Sequence, residues 1–164
     1  MGLETSQLLC TTRYVLGDQS KISYKESYKN HPTAIWLRSS PIHYQWTLAL
    51  GFALCDEYSY RYKKEHKSRA VIQECFKSFF ARNIPNFFPV LTSDLSYEDY
   101  VGVYNSCSSP ALAMPDEYKI KDDAIQSYRC YYALDKFYNI DFRYKGRPIP
   151  QWISEIQREN TKNI

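Results

Sequence analysis

Apolar residues recur at helical spacing along most of this chain and nowhere alternate with polar ones for long enough to predict a strand. Leu8, Leu9, Thr12, Val15 and Leu16 fall three and four residues apart, which predicts an amphipathic helix over residues 3–16, stopped at Gly17-Asp18. Residues 17–30 are polar and aperiodic and read as a surface loop, after which Pro32 opens a short helix over 33–37. Ser39-Ser40-Pro41 then offers a capping hydroxyl followed by proline at a first helical position. Trp46, Leu50, Ala53, Leu54 and Tyr58 continue one apolar face, so a long helix is expected to about residue 66.

Ser68 reads as the cap of a fourth helix with the stripe Val71, Ile72, Cys75, Phe76 and Phe79, broken at Asn83-Ile84-Pro85. Residues 85–118 hold four prolines and read as a long irregular loop around a short helix at 97–104, and so long a connection in a small protein points to function. Asp122 is expected to cap a helix to residue 139 that turns Ile125, Tyr128, Tyr132 and Phe137 inward, and Pro150 to introduce a last helix over 151–160. The expected fold is all-α: one compact helical domain over residues 1–164, with a long central helix and a long proline-rich loop.

Composition narrows the reading. The 164 residues suit one domain, and 21 Lys and Arg against 18 Asp and Glu leave a net charge of +3, with apolar content high enough to fold. No stretch is long and apolar enough to span a membrane, and the opening residues lack the basic-then-apolar order of a secretion signal, so a soluble cytoplasmic protein is expected. The five cysteines are odd in number, scattered and without a CxxC pair, which argues against a disulfide framework or a zinc cage. There is no HExxH and no glycine-rich phosphate loop, so neither a metal nor a cofactor is expected. The 16 tyrosines are the unusual feature, because a tyrosine ring buries an apolar body while keeping a polar tip.

Residues 61–69 carry five basic side chains and one acid, a local +4, with Tyr58, Tyr60 and Tyr62 interleaved just before and among them. Such a patch suits a phosphate backbone and unpaired bases, while a solvated helix end complementing the helix dipole explains the same residues. His31, Trp36, Arg38, His43 and Tyr44 fall close together before and at the start of the long helix, where imidazole, guanidinium and indole groups are candidates to converge. Asp116, Glu117, Asp122 and Asp123 offer oxygens suited to Mg²⁺, against which stands their use as helix caps.

The order Glu4-Thr5, Gln7-Leu8-Leu9-Cys10, His31-Pro32, Ala34-Ile35-Trp36, Glu57-Tyr58, Arg61-Tyr62, His66-Lys67, Met114-Pro115-Asp116-Glu117-Tyr118-Lys119 and Tyr131-Tyr132 resembles small proteins of tailed phages and large DNA viruses. More remotely, Glu in an early helix, then His-Pro, then Glu-x-x-x-Arg followed by His is similar to the pyrimidine-dimer DNA glycosylase and AP lyase family. That resemblance implies an all-helical fold in which the N-terminal amine attacks the sugar C1′ to form an imine, with Glu4 as the assisting acid/base. His31, Arg38, Tyr58, Arg61, Tyr62, His66 and Lys67 are then expected to bind DNA or a nucleotide. Against the family pattern, Met1 stands only three residues before Glu4, so the segment that carries the family nucleophile is not expected here, and Tyr62 stands where a glycine follows the arginine. The other readings from the same residues are a non-catalytic viral accessory protein that binds a nucleotide, nucleic acid or host protein, and a homo-oligomer joined through its tyrosines.

Overall fold

The structure, a computed structural model, describes residues 1–18, 20–81, 97–139, 144 and 146–162. It is all-α, with no strand among the described residues, and they gather into two compact units, 1–108 and 109–164. The break expected at 83–85 and the first part of the proline-rich loop lie outside the described residues.

In the first unit, α1 (Gly2–Val15), α2 (Pro32–Arg38), α3 (Pro41–Tyr62), α4 (Ser68–Ala81) and α5 (Tyr97–Asn105) pack with α3 at the centre, touching each of the other four. Pro41 sits in the first turn of α3 behind Ser40, whose hydroxyl accepts from the Ile42 N–H, as the sequence implies. The helix stops at Tyr62 rather than 66 because Lys63 turns left-handed, φ 53°. The cap of α4 is also displaced: His66 Nδ1, not the Ser68 hydroxyl, accepts from the Ser68 N–H at 3.1 Å, and Ser68 is the first helical residue. The core joins Leu9, Leu37, Leu48, Ile72 and Cys75, and the expected stripe of α4 faces it. Gly51 lets α3 sit tightly against α1 and α4: a Cβ there would stand 3.0 Å from Ile72 Cδ1 and 3.3 Å from Thr5 Cγ2.

Two expected faces are rotated. On α1 the buried side is Thr5, Ser6, Leu9, Cys10, Thr11, Thr12 and Arg13, while Val15 and Leu16 are exposed. Thr11 is buried because its hydroxyl exchanges hydrogen bonds with the Ser27 backbone, at 2.9 and 3.0 Å. On α3, His43, Tyr44, Thr47, Leu48 and Cys55 are buried, whereas Trp46, Leu50, Ala53, Leu54 and Tyr58 are only half-buried. A helix enclosed by four neighbours has no single apolar stripe to read.

In the second unit, α6 (Ala124–Tyr131) runs through a π-helical turn (Tyr132–Lys136) into α7 (Phe137–Asn139), and α8 (Gln151–Lys162) packs against that turn. Asp123, not Asp122, caps α6 by accepting from the Gln126 N–H at 2.9 Å, and Ile125 faces solvent instead of the core. Ala133, Ile153 and Ile156 form the centre of this unit, where Gln157 donates to the Ala133 carbonyl at 2.9 Å within the irregular turn.

Candidate functional site

The end of α3 collects the aromatic and basic residues singled out from the sequence. Tyr58 and Tyr62, one turn apart, bring their ring centroids to 4.7 Å, and His66 beyond the helix stands edge-on to Tyr58 at 4.7 Å. Lys63 lies over the Tyr60 ring at 4.7 Å. Part of the basic excess is spent on the fold, since Arg61 pairs with Glu57 at 2.6 Å and Arg69 pairs with Asp56. Adding those two acids to Glu65 reduces the local charge from +4 to +2. Lys64 and Lys67 are exposed and make no ion pair among the described residues.

The start of α1 adjoins this end. A Cβ on Gly2 would stand 3.2 Å from His66 Cε1, so the first turn of α1 rests on the same imidazole that touches Tyr58. Glu4 therefore lies at the same end of the unit as Tyr58, Tyr62 and His66. Its side chain is 75% exposed and stands 3.6 Å from the Met1 amine, on an open edge of the unit.

His31 and Arg38 belong elsewhere. A helix of 22 residues is about 33 Å long, and both residues precede its first turn. His31 caps α2, its Nδ1 accepting from the Thr33 N–H at 3.2 Å, and Arg38 donates to the Lys29 carbonyl. Trp36 and His43 do converge, stacked at 4.1 Å and 12°. His43 Nδ1 lies 2.7 Å from the Trp36 carbonyl, and Nε2 accepts from the Ser108 N–H at 3.2 Å. Those partners call for a hydrogen on Nδ1 and a lone pair on Nε2, so this imidazole serves as a structural tie. Of the acidic residues near 116–123, Asp116 pairs with Lys119 at 2.6 Å and Asp123 caps α6, and no cluster of metal-ligating side chains forms among the described residues.

A buried polar network escaped the sequence reading. Arg13, 5% exposed, spends all five N–H groups: on Asp18 at 2.7 Å, Glu74 at 2.6 Å, the Cys75 sulfur at 3.8 Å, the Ser20 hydroxyl at 2.7 Å and the Lys21 carbonyl at 3.0 Å. Burial works to raise the Asp18 carboxyl, but hydrogen bonds from Ser20, Ser78 and Arg13 outweigh it and hold the group well below the usual carboxylate range. Glu74 is lowered in the same way, by Ser23 and Arg13 against burial. The Cys10 and Cys75 sulfurs lie 3.8 Å apart beside this network, where their mutual hydrogen bond raises Cys10 and lowers Cys75. Only the five-residue spacing of Arg13 and Asp18 across a helix end hints at the pair in sequence.

No protein-family model, curated protein or solved structure matches the chain. The similarity to the glycosylase family thus stands on the quoted motifs alone. Among the described residues no helix is long and apolar enough to cross a membrane.

Proposed function

We propose that the protein binds nucleic acid with unpaired bases at the end of α3. The observation that carries this reading is the cluster of Tyr58, Tyr62 and His66 rings beside Lys64 and Lys67, which make no ion pair among the described residues. Ammonium groups held near a phosphate backbone release its counterions, and neighbouring rings give an unpaired base a face on which to stack. Fluorescence anisotropy with a labelled single strand and the matching duplex tests the reading. Tighter binding of the single strand supports it, and equal or absent binding rejects it.

A second reading is lyase chemistry on an abasic sugar, favoured by the 3.6 Å approach of the Met1 amine to Glu4 at the edge that also carries His66. It requires that amine to be free. The amine adds to the C1′ aldehyde, water leaves, and the resulting imine is reduced by borohydride to a stable secondary amine. Glu4 serves as the proton carrier for the loss of water. Borohydride trapping on an abasic oligonucleotide should leave a covalent adduct that Glu4→Gln strongly reduces. Absence of an adduct removes the lyase and leaves the binding reading to its own test.

A further inference from the structure

Two cysteines meet inside the first unit. Cys10 of α1 and Cys75 of α4, both fully buried, bring their sulfurs to 3.8 Å although they lie 65 residues apart. Three donors converge on the Cys75 sulfur: the Cys10 thiol, an Arg13 N–H at 3.8 Å and the Tyr44 hydroxyl, which is turned toward it. That hydroxyl is buried and has no other partner, an uncommon state for a polar group in a core. A thiol sulfur accepts hydrogen bonds weakly, whereas a thiolate accepts all three, so these surroundings favour the charged form and hold Cys75 below an ordinary thiol.

With α1 in place the pair meets no oxidant, but α1 covers it with little apolar burial. Ahead of Arg13 its buried face is Thr5, Ser6, Leu9, Cys10, Thr11 and Thr12, of which only Leu9 and Cys10 are apolar. Its start has no side-chain cap. Terminal segments with few apolar contacts open first. Unravelling of α1 as far as Cys10 bares both sulfurs, while Arg13 stays tied to Asp18 and Glu74 beside Cys75.

We infer that Cys10 and Cys75 form a redox latch, oxidised by hydrogen peroxide to a disulfide that fastens α1 to α4. In the open state the Cys75 thiolate attacks one peroxide oxygen, the O–O bond breaks, and the leaving hydroxide takes up a proton as water, which leaves a sulfenic acid. When α1 closes, the Cys10 sulfur attacks the Cys75 sulfur, the S–O bond breaks as the S–S bond forms, and the Cys10 proton departs in a second water. The two thiols lose two electrons and two protons, and the peroxide is reduced to two waters. From 3.8 Å the sulfurs close by roughly 1.8 Å to reach bonding distance. The latch does not rest on the nucleic-acid reading.

Hydrogen peroxide added to the reduced full chain tests the assignment. Mass spectrometry should show a loss of about 2 Da and one linked peptide pair joining Cys10 to Cys75, although Cys107 and Cys130 are the more exposed thiols. The oxidised protein should melt about 10 °C above the reduced one, because the link joins residues 65 apart and removes loop entropy from the unfolded chain. Exchange of the amides from Thr5 to Cys10 should slow by about tenfold or more. These readouts use the unaltered chain, so none depends on a variant that folds. In Cys10→Ala the sulfenic acid should persist on Cys75 and be trapped by dimedone, and Cys75→Ala should yield none on Cys10. Thiols at Cys10 and Cys75 that stay free in peroxide, a link between any other two cysteines, sulfenic acid on Cys10 in Cys75→Ala, or a link that leaves melting and exchange unchanged overturns the inference.

Discussion

Near the start of α3, Arg13 is buried with Asp18 and gives every N–H to the protein, whereas past the end of α3 Lys64 and Lys67 stand in solvent with no ion pair among the described residues. The contrast separates two uses of charge. A buried guanidinium is tolerated only when carboxylates and carbonyls replace all of its water, so the first group is committed to holding α1, α4 and the loop after α1 together. An exposed lysine loses little water and gains little from its own fold, so it keeps its charge for a partner. Charge at one end is structure; at the other it is available for recognition.

The largest expected effect falls on the buried end. Arg13→Met leaves Asp18 and Glu74 without their cation and should cost about 3–5 kcal/mol in denaturant unfolding, the usual loss when one member of a buried pair is removed. Both carboxyls are lowered in the folded protein, so the stability they contribute is complete above their unfolded values of about 3.9 and 4.3 and is lost as pH falls below them. Stability should therefore drop steeply below about pH 4, and somewhat less steeply in Arg13→Met, where Arg13's share of the lowering is lost and that of the serines remains. A loss of 0.5 kcal/mol or less in that variant would place Arg13 with ordinary surface residues.

His43→Ala comes next. It strands the Ser108 N–H and the Trp36 carbonyl and removes a ring stacked on indole, so about 1–3 kcal/mol is expected for each orphaned group, read by the same unfolding measurement. Tyr62→Ala belongs to the exposed end and should behave in the opposite way. Single-strand affinity should fall by about 1–3 kcal/mol for the lost stacking platform, while stability falls by less, about 0.5–1 kcal/mol for the lost ring pair. Equal losses of binding and stability would erase the distinction between the two ends.

The sequence was most legible where one residue type does one local job. Ser40-Pro41 marked the start of α3 and the Val71–Phe79 stripe marked the face of α4, because caps and single apolar faces are local properties. The tyrosines and lysines at residues 58–67 were legible for the same reason: one helix end carries them. The faces of α1 and α3 were not, because burial there depends on partners distant in the chain. Thr11 is buried by Ser27, and Arg13 by Glu74, 61 residues away. Hydropathy places both outside a core; satisfied hydrogen bonds place them inside. The family resemblance groups Arg38 with Arg61, and the length of the intervening helix separates them.

The smallest change asks the most direct question. The salt dependence of single-strand binding should be compared among the parent protein, a Lys64→Ala/Lys67→Ala variant and Arg38→Gln at the far end of α3. With Lys63, Lys64 and Lys67 on phosphates, the log–log slope should be about −2 for the parent and for Arg38→Gln, and about −0.7 for the double variant. Identical slopes for the parent and the double variant would contradict the account.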